Sequence, residues 1–294
     1  LKDMTVAMPP AKLKRICELA TQVLQGDATT KTCASLDGEL SWAAQCIPQA
    51  SSFQAATRHA VQHAIDNNLR NIQVTQRIRA EMQWWVAAIN SGMARKGRAL
   101  LPVKEQLEMV LAGDAGTEWG LGAHSDTHFY SVKMPVHATQ AAKRKMRSSS
   151  KYLELFQLLV LARLHSDAWA GSHVRVYTDN QAVPAVCRKL YSARQSDNDI
   201  LREIALLQCV NGWTWEVIWI PRENNDAADA LSKNDIPRFE AIMGPGMSRW
   251  EVGEVHLQPP RLYVTHEPLK QSDEQLAAEL QEIVVLGPFS PYSF

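Results

Sequence analysis

The spacing of apolar residues divides the chain into two regimes. Up to about residue 92 they recur every three or four positions, the helical period. Pro9 and Pro10 suit a helix start, and Leu13, Ile16, Cys17, Leu19, Ala20 and Leu24 then share a face until Gly26. Thr29 and Thr30 offer caps for a second helix holding Leu36, Leu40, Trp42 and Ala43 and ending near Pro48. Ser51 and Ser52 offer caps for a third, running to about Asn68. A fourth spans about Val74 to Ile89, with Ile78, Met82, Trp85 and Ile89 on one side, and stops at Gly92. Trp84 and Trp85 are neighbours, so a helix should bury only one of them deeply.

Beyond residue 92 the pattern shortens. Met93–Lys104 is basic, contains Gly97 and Pro102, and predicts a linker over 93–106. Leu107–Ala112, Trp119–His124 and Phe129–Pro135 are short β-like runs separated by turn residues, which predicts a three-stranded antiparallel meander. A basic segment, Lys143–Lys151, leads into a helix to about Ala168 that is apolar almost all round. A strand at 173–178, helices near 182–190 and 198–210, a strand at 213–220 and a helix from 226 complete the alternation. The order predicts an α/β domain over 107–234, a mixed five-stranded sheet flanked by helices, preceded by a small all-α domain over 1–92. From Asn234 the text turns irregular, with Met243-Gly-Pro-Gly-Met247 and Pro259-Pro260, so 235–294 is expected to be an extended arm with one short helix at about Ser272–Ile283.

Composition narrows the function classes. With 294 residues and 46% hydrophobic content the chain can build a sizeable core. Thirty-one basic residues balance 31 acidic ones, which argues against binding nucleic acid by bulk charge and leaves only a local basic patch. Five widely spaced cysteines without a Cys-x-x-Cys pair predict free thiols in a reducing compartment, intracellular, in cytoplasm or nucleus, with an organelle left open. No run of 18 apolar residues exists to span a membrane. The chain opens on Leu1 and not Met, which leaves open a processed product or a fragment of a longer polypeptide.

Four acids stand at the edges of apolar elements. Asp114 follows a strand and precedes Ala-Gly, a place for a turn residue or for a ligand. Glu154 is the one acid between Lys151 and Ser166, either a costly buried carboxylate or a first-turn Glu favoured by the helix dipole. Asp179, at a strand's C-terminal end, could cap the next helix or face a ligand. Asp229 alone reads as a solvated helix charge, and Asp226 competes with it. Taken together, converging carboxylates need cations, and oxygen-only ligation suits Mg2+ or Mn2+. Two such ions about 3.5–4 Å apart can clamp the attacking water and leaving oxygen of a phosphodiester. Other signals are weaker: His59 and His63 lie four apart with no evident third ligand, and Trp213, Trp215 and Trp219 alternate on one strand face as core residues would.

The words Gly113-Asp-Ala-Gly-Thr-Glu-Trp-Gly-Leu-Gly-Ala123, Tyr152-Leu-Glu-Leu155, Tyr177-Thr-Asp-Asn-Gln-Ala182 and Ile220-Pro-Arg-Glu-Asn-Asn-Asp-Ala-Ala-Asp-Ala-Leu-Ser-Lys233 resemble the RNase H domain of retroelement reverse transcriptases, of the long-terminal-repeat and DIRS type. The last resembles the family's Pro-Gly-Glu-x-Asn-x-x-Ala-Asp-x-Leu-Ser-Arg ending, which places the fourth acid at Asp229, with Arg222 where the family has Gly and Lys233 where it has Arg. Residues 1–92 resemble, more weakly, the thumb and connection of such enzymes, and the absence of any Asp-Asp dipeptide means that no polymerase centre is present.

The resemblance implies an RNase H-like fold and hydrolysis of the RNA strand of RNA–DNA hybrids. It implies two Mg2+ or Mn2+ ions, with Asp114 bridging them, Glu154 and Asp179 holding one and Asp229 the other. It implies substrate contacts at Asn180, Gln181, Lys189, Arg194 and Gln195, and phosphate contacts from Lys143, Arg144, Lys145, Arg147 and Lys151. A polymerase fingers and palm portion supplied separately would be a partner, and no membrane is involved. The family's helpful His before the last acid has no counterpart between His173 and His256. The rival expectation is the same fold kept as a non-catalytic RNA-binding or structural part of a ribonucleoprotein assembly.

Overall fold

The helical period of the N-terminal region is realised in α1 (Pro10–Leu24), α2 (Thr30–Cys46), α3 (Ala55–Asp66) and α4 (Gln76–Asn90). The structure is a computed structural model that describes residues 5–90, 98–99, 106–116, 119–143 and 149–260. Two compact units divide it, one within Leu1–Val103 and one spanning Lys104–Arg261.

In the first unit, Thr29 caps α2 as its position predicts: its hydroxyl oxygen accepts from the Thr32 amide at 3.1 Å. The third helix begins differently from the expectation. Ser51 and Ser52 fall inside a 3-10 turn, Pro48–Gln54, and α3 starts only at Ala55. Its free amides are capped from α4, where Glu81 accepts from Ala56 N at 2.8 Å and from Thr57 N at 2.9 Å. A carboxylate at a helix N-terminus gains from both the hydrogen bonds and the dipole, and Glu81 is almost fully buried. The 3-10 turn also corrects the tryptophan expectation, since both Trp84 and Trp85 are buried. Phe53 stacks flat on Trp84 at 3.9 Å and its carbonyl accepts from Trp85 Nε1 at 3.0 Å, so the turn roofs both indoles. A short ribbon pairs β1 (Thr5–Val6) with β2 (Arg98–Ala99), so part of the stretch expected to be linker is strand. The rest of that stretch, up to residue 105, lies outside the described residues.

The second unit is α/β. The meander is β3 (Gln106–Ala115), β4 (Gly120–His124) and β5 (His128–Lys133), antiparallel throughout. There follow α5 (Val136–Lys143), α6 (Ser149–His165), β6 (His173–Thr178), α7 (Val183–Lys189), α8 (Gln195–Asn211), β7 (Thr214–Trp219) and α9 (Asp226–Ser232). Then come α10 (Ile236–Met243) and β8 (Ser248–Arg249). The sheet order is β7-β6-β3-β4-β5-β8, with β6 parallel to β3 and β7 parallel to β6.

The sheet therefore has six strands and not the expected five, because β8 joins β5 in parallel from a stretch read as irregular. Residues 236–260 belong to this unit and are not an extended arm. Asp235 caps α10 by accepting from Arg238 N at 3.2 Å, and Phe239 is fully buried against Phe129 at 4.8 Å. The expected helix at 272–283 lies outside the described residues.

The core gathers around α6, which is buried on nearly every side as its all-round apolar sequence requires. At its C-terminal end Arg163 forms a buried pair with Glu203 at 2.8 Å and donates to the carbonyls of His256, Gln258 and Pro259, which fastens the segment after β8 to the core. Along residues 213–219, from just before β7 to its end, the tryptophan alternation holds only in part. Trp213 is buried beside Trp169, whereas Trp219 is exposed at the strand's far end. Among the described residues no helix is long and apolar enough to cross a membrane.

Candidate metal centre

Strands β3 and β6 run side by side in the same direction with Ala112 opposite Tyr177, so two residues further on Asp114 and Asp179 leave the same edge of the sheet together. Asp114 thus belongs to the end of a strand and not to a turn. Helix α6 packs against β3 and brings Glu154 to the same place. Carboxylate oxygens of Asp114, Glu154 and Asp179 all lie within 4.8 Å of one another. Asp114 and Glu154 are buried and Asp179 is half-buried.

Crowding and burial reshape the acidity of the group. Glu154 is held well above the usual carboxylate range, first by burial and then by the charges of Asp114 and Asp179. The Ala115 amide and the Thr178 hydroxyl, which donates to Oε2 at 3.3 Å, work the other way without prevailing. Asp179 is raised too, by burial and then by Asp114, while the Arg222 charge opposes this and Asp229 adds to it. Two carboxylates about 4 Å apart repel by roughly 4 kcal/mol at an intermediate dielectric. Three buried oxygen donors at this spacing fit a hard divalent cation, so the triad could hold a metal ion.

Asp229 reaches the neighbourhood by a different route. Helix α9 lies directly on β4, and at Gly122 a Cβ would strike the Leu231 side chain and the Ser232 backbone nitrogen. Asn225 Nδ2 donates to the Gly113 carbonyl at 3.2 Å and the Ser131 hydroxyl to the Leu231 carbonyl at 2.6 Å, which pins the helix beside Asp114. Asp229 is buried, yet it is not one of the three acids that meet. Its Oδ1 accepts from Arg222 Nη2 at 3.0 Å, its Oδ2 from Lys233 Nζ at 2.7 Å, and Arg238 Nη1 lies 3.5 Å away. Burial would raise its pKa, but the hydrogen bonds and charges of Lys233 and Arg222 outweigh it and hold the group below the usual range. Asp226, the competing acid, has an exposed side chain and pairs with Arg238 at 3.0 Å.

The other expected contacts fall into three groups. Asn180 turns the chain after β6: its Oδ1 accepts from Ala182 N at 3.1 Å and its own amide donates to Thr178 Oγ1 at 3.2 Å. Asn180, and not Asp179, therefore shapes that turn, which leaves Asp179 to the acidic group. Gln181 and Lys189 are exposed, and Arg194 and Gln195 open α8. Lys143 closes α5, while Arg144, Lys145 and Arg147 lie outside the described residues. Lys151 corrects its expected role. It is tied to the fully buried Asp197 at 2.6 Å and to Ser192 Oγ at 3.1 Å, a structural pair and not a cation facing phosphate.

Sequence reasoning also overlooked Thr178, Asn225 and the three cations on Asp229. Only Lys233, four residues past Asp229 on the same turn, carried a local signal. No family model, curated protein or solved structure matches the chain.

Proposed function

We propose that the chain is a metal-dependent nuclease. Within that class the fuller assignment is a ribonuclease H that hydrolyses the RNA strand of RNA–DNA hybrids, working beside a polymerase portion supplied separately. One observation carries the class: three carboxylates from β3, α6 and the end of β6 converge, two of them buried, at a spacing suited to a divalent cation. The fuller assignment leans on the motif words around those acids and on Asn180, Gln181, Arg194 and Gln195 following the β6 strand end.

Asp114, Glu154 and Asp179 would hold Mg2+ or Mn2+, which when bound supplies Lewis-acid activation of water and neutralises charge at the phosphodiester. The chain's own residues supply position. The sheet register sets the separation of Asp114 from Asp179. Thr178 and the Ala115 amide fix the orientation of Glu154, and Asn180 closes the turn behind Asp179. Hybrid recognition by backbone and 2′-hydroxyl requires no base-reading element.

The test is cleavage of a labelled RNA–DNA hybrid with Mg2+ or Mn2+. Wild type should cut the RNA strand, and Asp114→Asn should abolish cleavage, as loss of a metal ligand would, with its circular dichroism unchanged. Retained turnover in that variant would sink the assignment. The runner-up, an idle scaffold in a ribonucleoprotein, draws on the cations that occupy Asp229 and on the chain's formal neutrality. It expects no change in melting temperature with Mn2+, whereas the enzyme expects stabilisation that Glu154→Gln abolishes.

A further inference from the structure

The acidic centre is lopsided. Among the described residues no ion pair reaches Asp114, Glu154 or Asp179, yet three cationic side chains converge on Asp229. Arg222 and Lys233 take one carboxylate oxygen each, at 3.0 Å and 2.7 Å, so both oxygens that a second metal ion would use are already engaged. Arg238 stands 3.5 Å from the second of them. The Arg222 charge also acts on Asp179 and Asp114.

We propose that the centre takes one divalent cation, at Asp114, Glu154 and Asp179, and that Arg222 on Asp229, backed by Lys233 and Arg238, stands in place of a second ion. The proposal rests on the nuclease assignment and departs from the two-ion arrangement that the sequence resemblance implies. Arg222 is built for the role. Its side chain is 70% exposed while that of Asp229 is 6% exposed, so one edge of the guanidinium is spent on the carboxylate and the rest of the fork faces solvent. A guanidinium has five N–H donors and matches two phosphate oxygens at once, so the free edge can grip a non-bridging oxygen of the bound strand. The cationic trio also disfavours a further divalent ion, because a dication at Asp229 would have to displace hydrogen-bonded charges and lie beside them.

The experiment counts ions. Calorimetric titration of the full chain with Mn2+, with electron paramagnetic resonance of the loaded protein, should give one ion per chain and an uncoupled six-line spectrum. Asp229→Asn should leave the count at one, with affinity lowered by the cations it uncovers, and Asp114→Asn should abolish binding. Arg222→Gly with Lys233→Gln should raise the count to two and produce a spin-coupled pair. Two ions in the wild type, or a double variant that still takes one ion, would overturn the proposal. Zero ions in the wild type would overturn the nuclease assignment itself, so the two failures are told apart by the number counted.

Discussion

Glu154 shows how far one residue can be pushed by its surroundings. Its folded-state pKa is raised, so its neutral form stabilises the metal-free protein below the ordinary carboxylate value, and that contribution is lost as pH rises through the folded value. Glu154→Gln keeps the shape and removes the charge. Without metal at pH 8 it should melt above wild type, by about 2–4 °C for each kcal/mol recovered, and it should ignore Mn2+. Thermal scans with and without Mn2+ check both halves; a variant that melts lower without metal would contradict the burial account. Each of the three meeting acids taken alone also fitted a turn, helix-dipole or capping role, and they were legible in the sequence only as a set. The company of Asp229 was not, since Arg222 reaches it from outside its helix and no local period encodes that reach.

Among elements, α9 depends on a glycine in the strand below it. Gly122→Ala should force the helix away from β4 at a cost of about 1–3 kcal/mol, read as a lower urea midpoint with unchanged slope. An unaltered midpoint would show that α9 yields freely. The same scale holds a buried histidine at the end of α6. His165 is brought to about 4 by burial and then by the charges of His256 and His128, and it lies against Trp169 and Trp250. A lowered folded value means that its stabilising effect is complete above 6.5 and is lost as pH falls toward 4. The loss is on the order of 3 kcal/mol. His165→Phe should flatten the melting temperature between pH 7 and 5; an unchanged slope would remove His165 as the cause. Helices with a clear apolar period were legible, α1 and α2 among them, and so was α6 from its all-round apolar run. The start of α3 was not, because its cap is Glu81, 25 residues from the amide that it satisfies.

For the molecule as a whole, the division into a helical unit and a sheet unit could be read from the change of period near residue 92. The extent of the sheet unit could not. Strand β8 has two residues and α10 eight, too short for a pattern, and they are fixed by contacts with Phe129 and Ser131. A chain ending at Asn234 should expose the buried Phe129 and Leu231 side chains and lose its cooperative unfolding transition, seen as a broadened thermal melt and binding of a hydrophobic dye. A sharp transition in the shortened chain would restore the earlier boundary.

The pairing of β3 with β6 carries one more implication. Alternate residues along a strand look to opposite faces, so sliding either strand by a single position would turn its aspartate to the far side of the sheet. Chemistry and architecture here share one alignment: a lone insertion within residues 173–178, even of a residue that packs well, should scatter the three carboxylates while leaving most of the secondary structure in place.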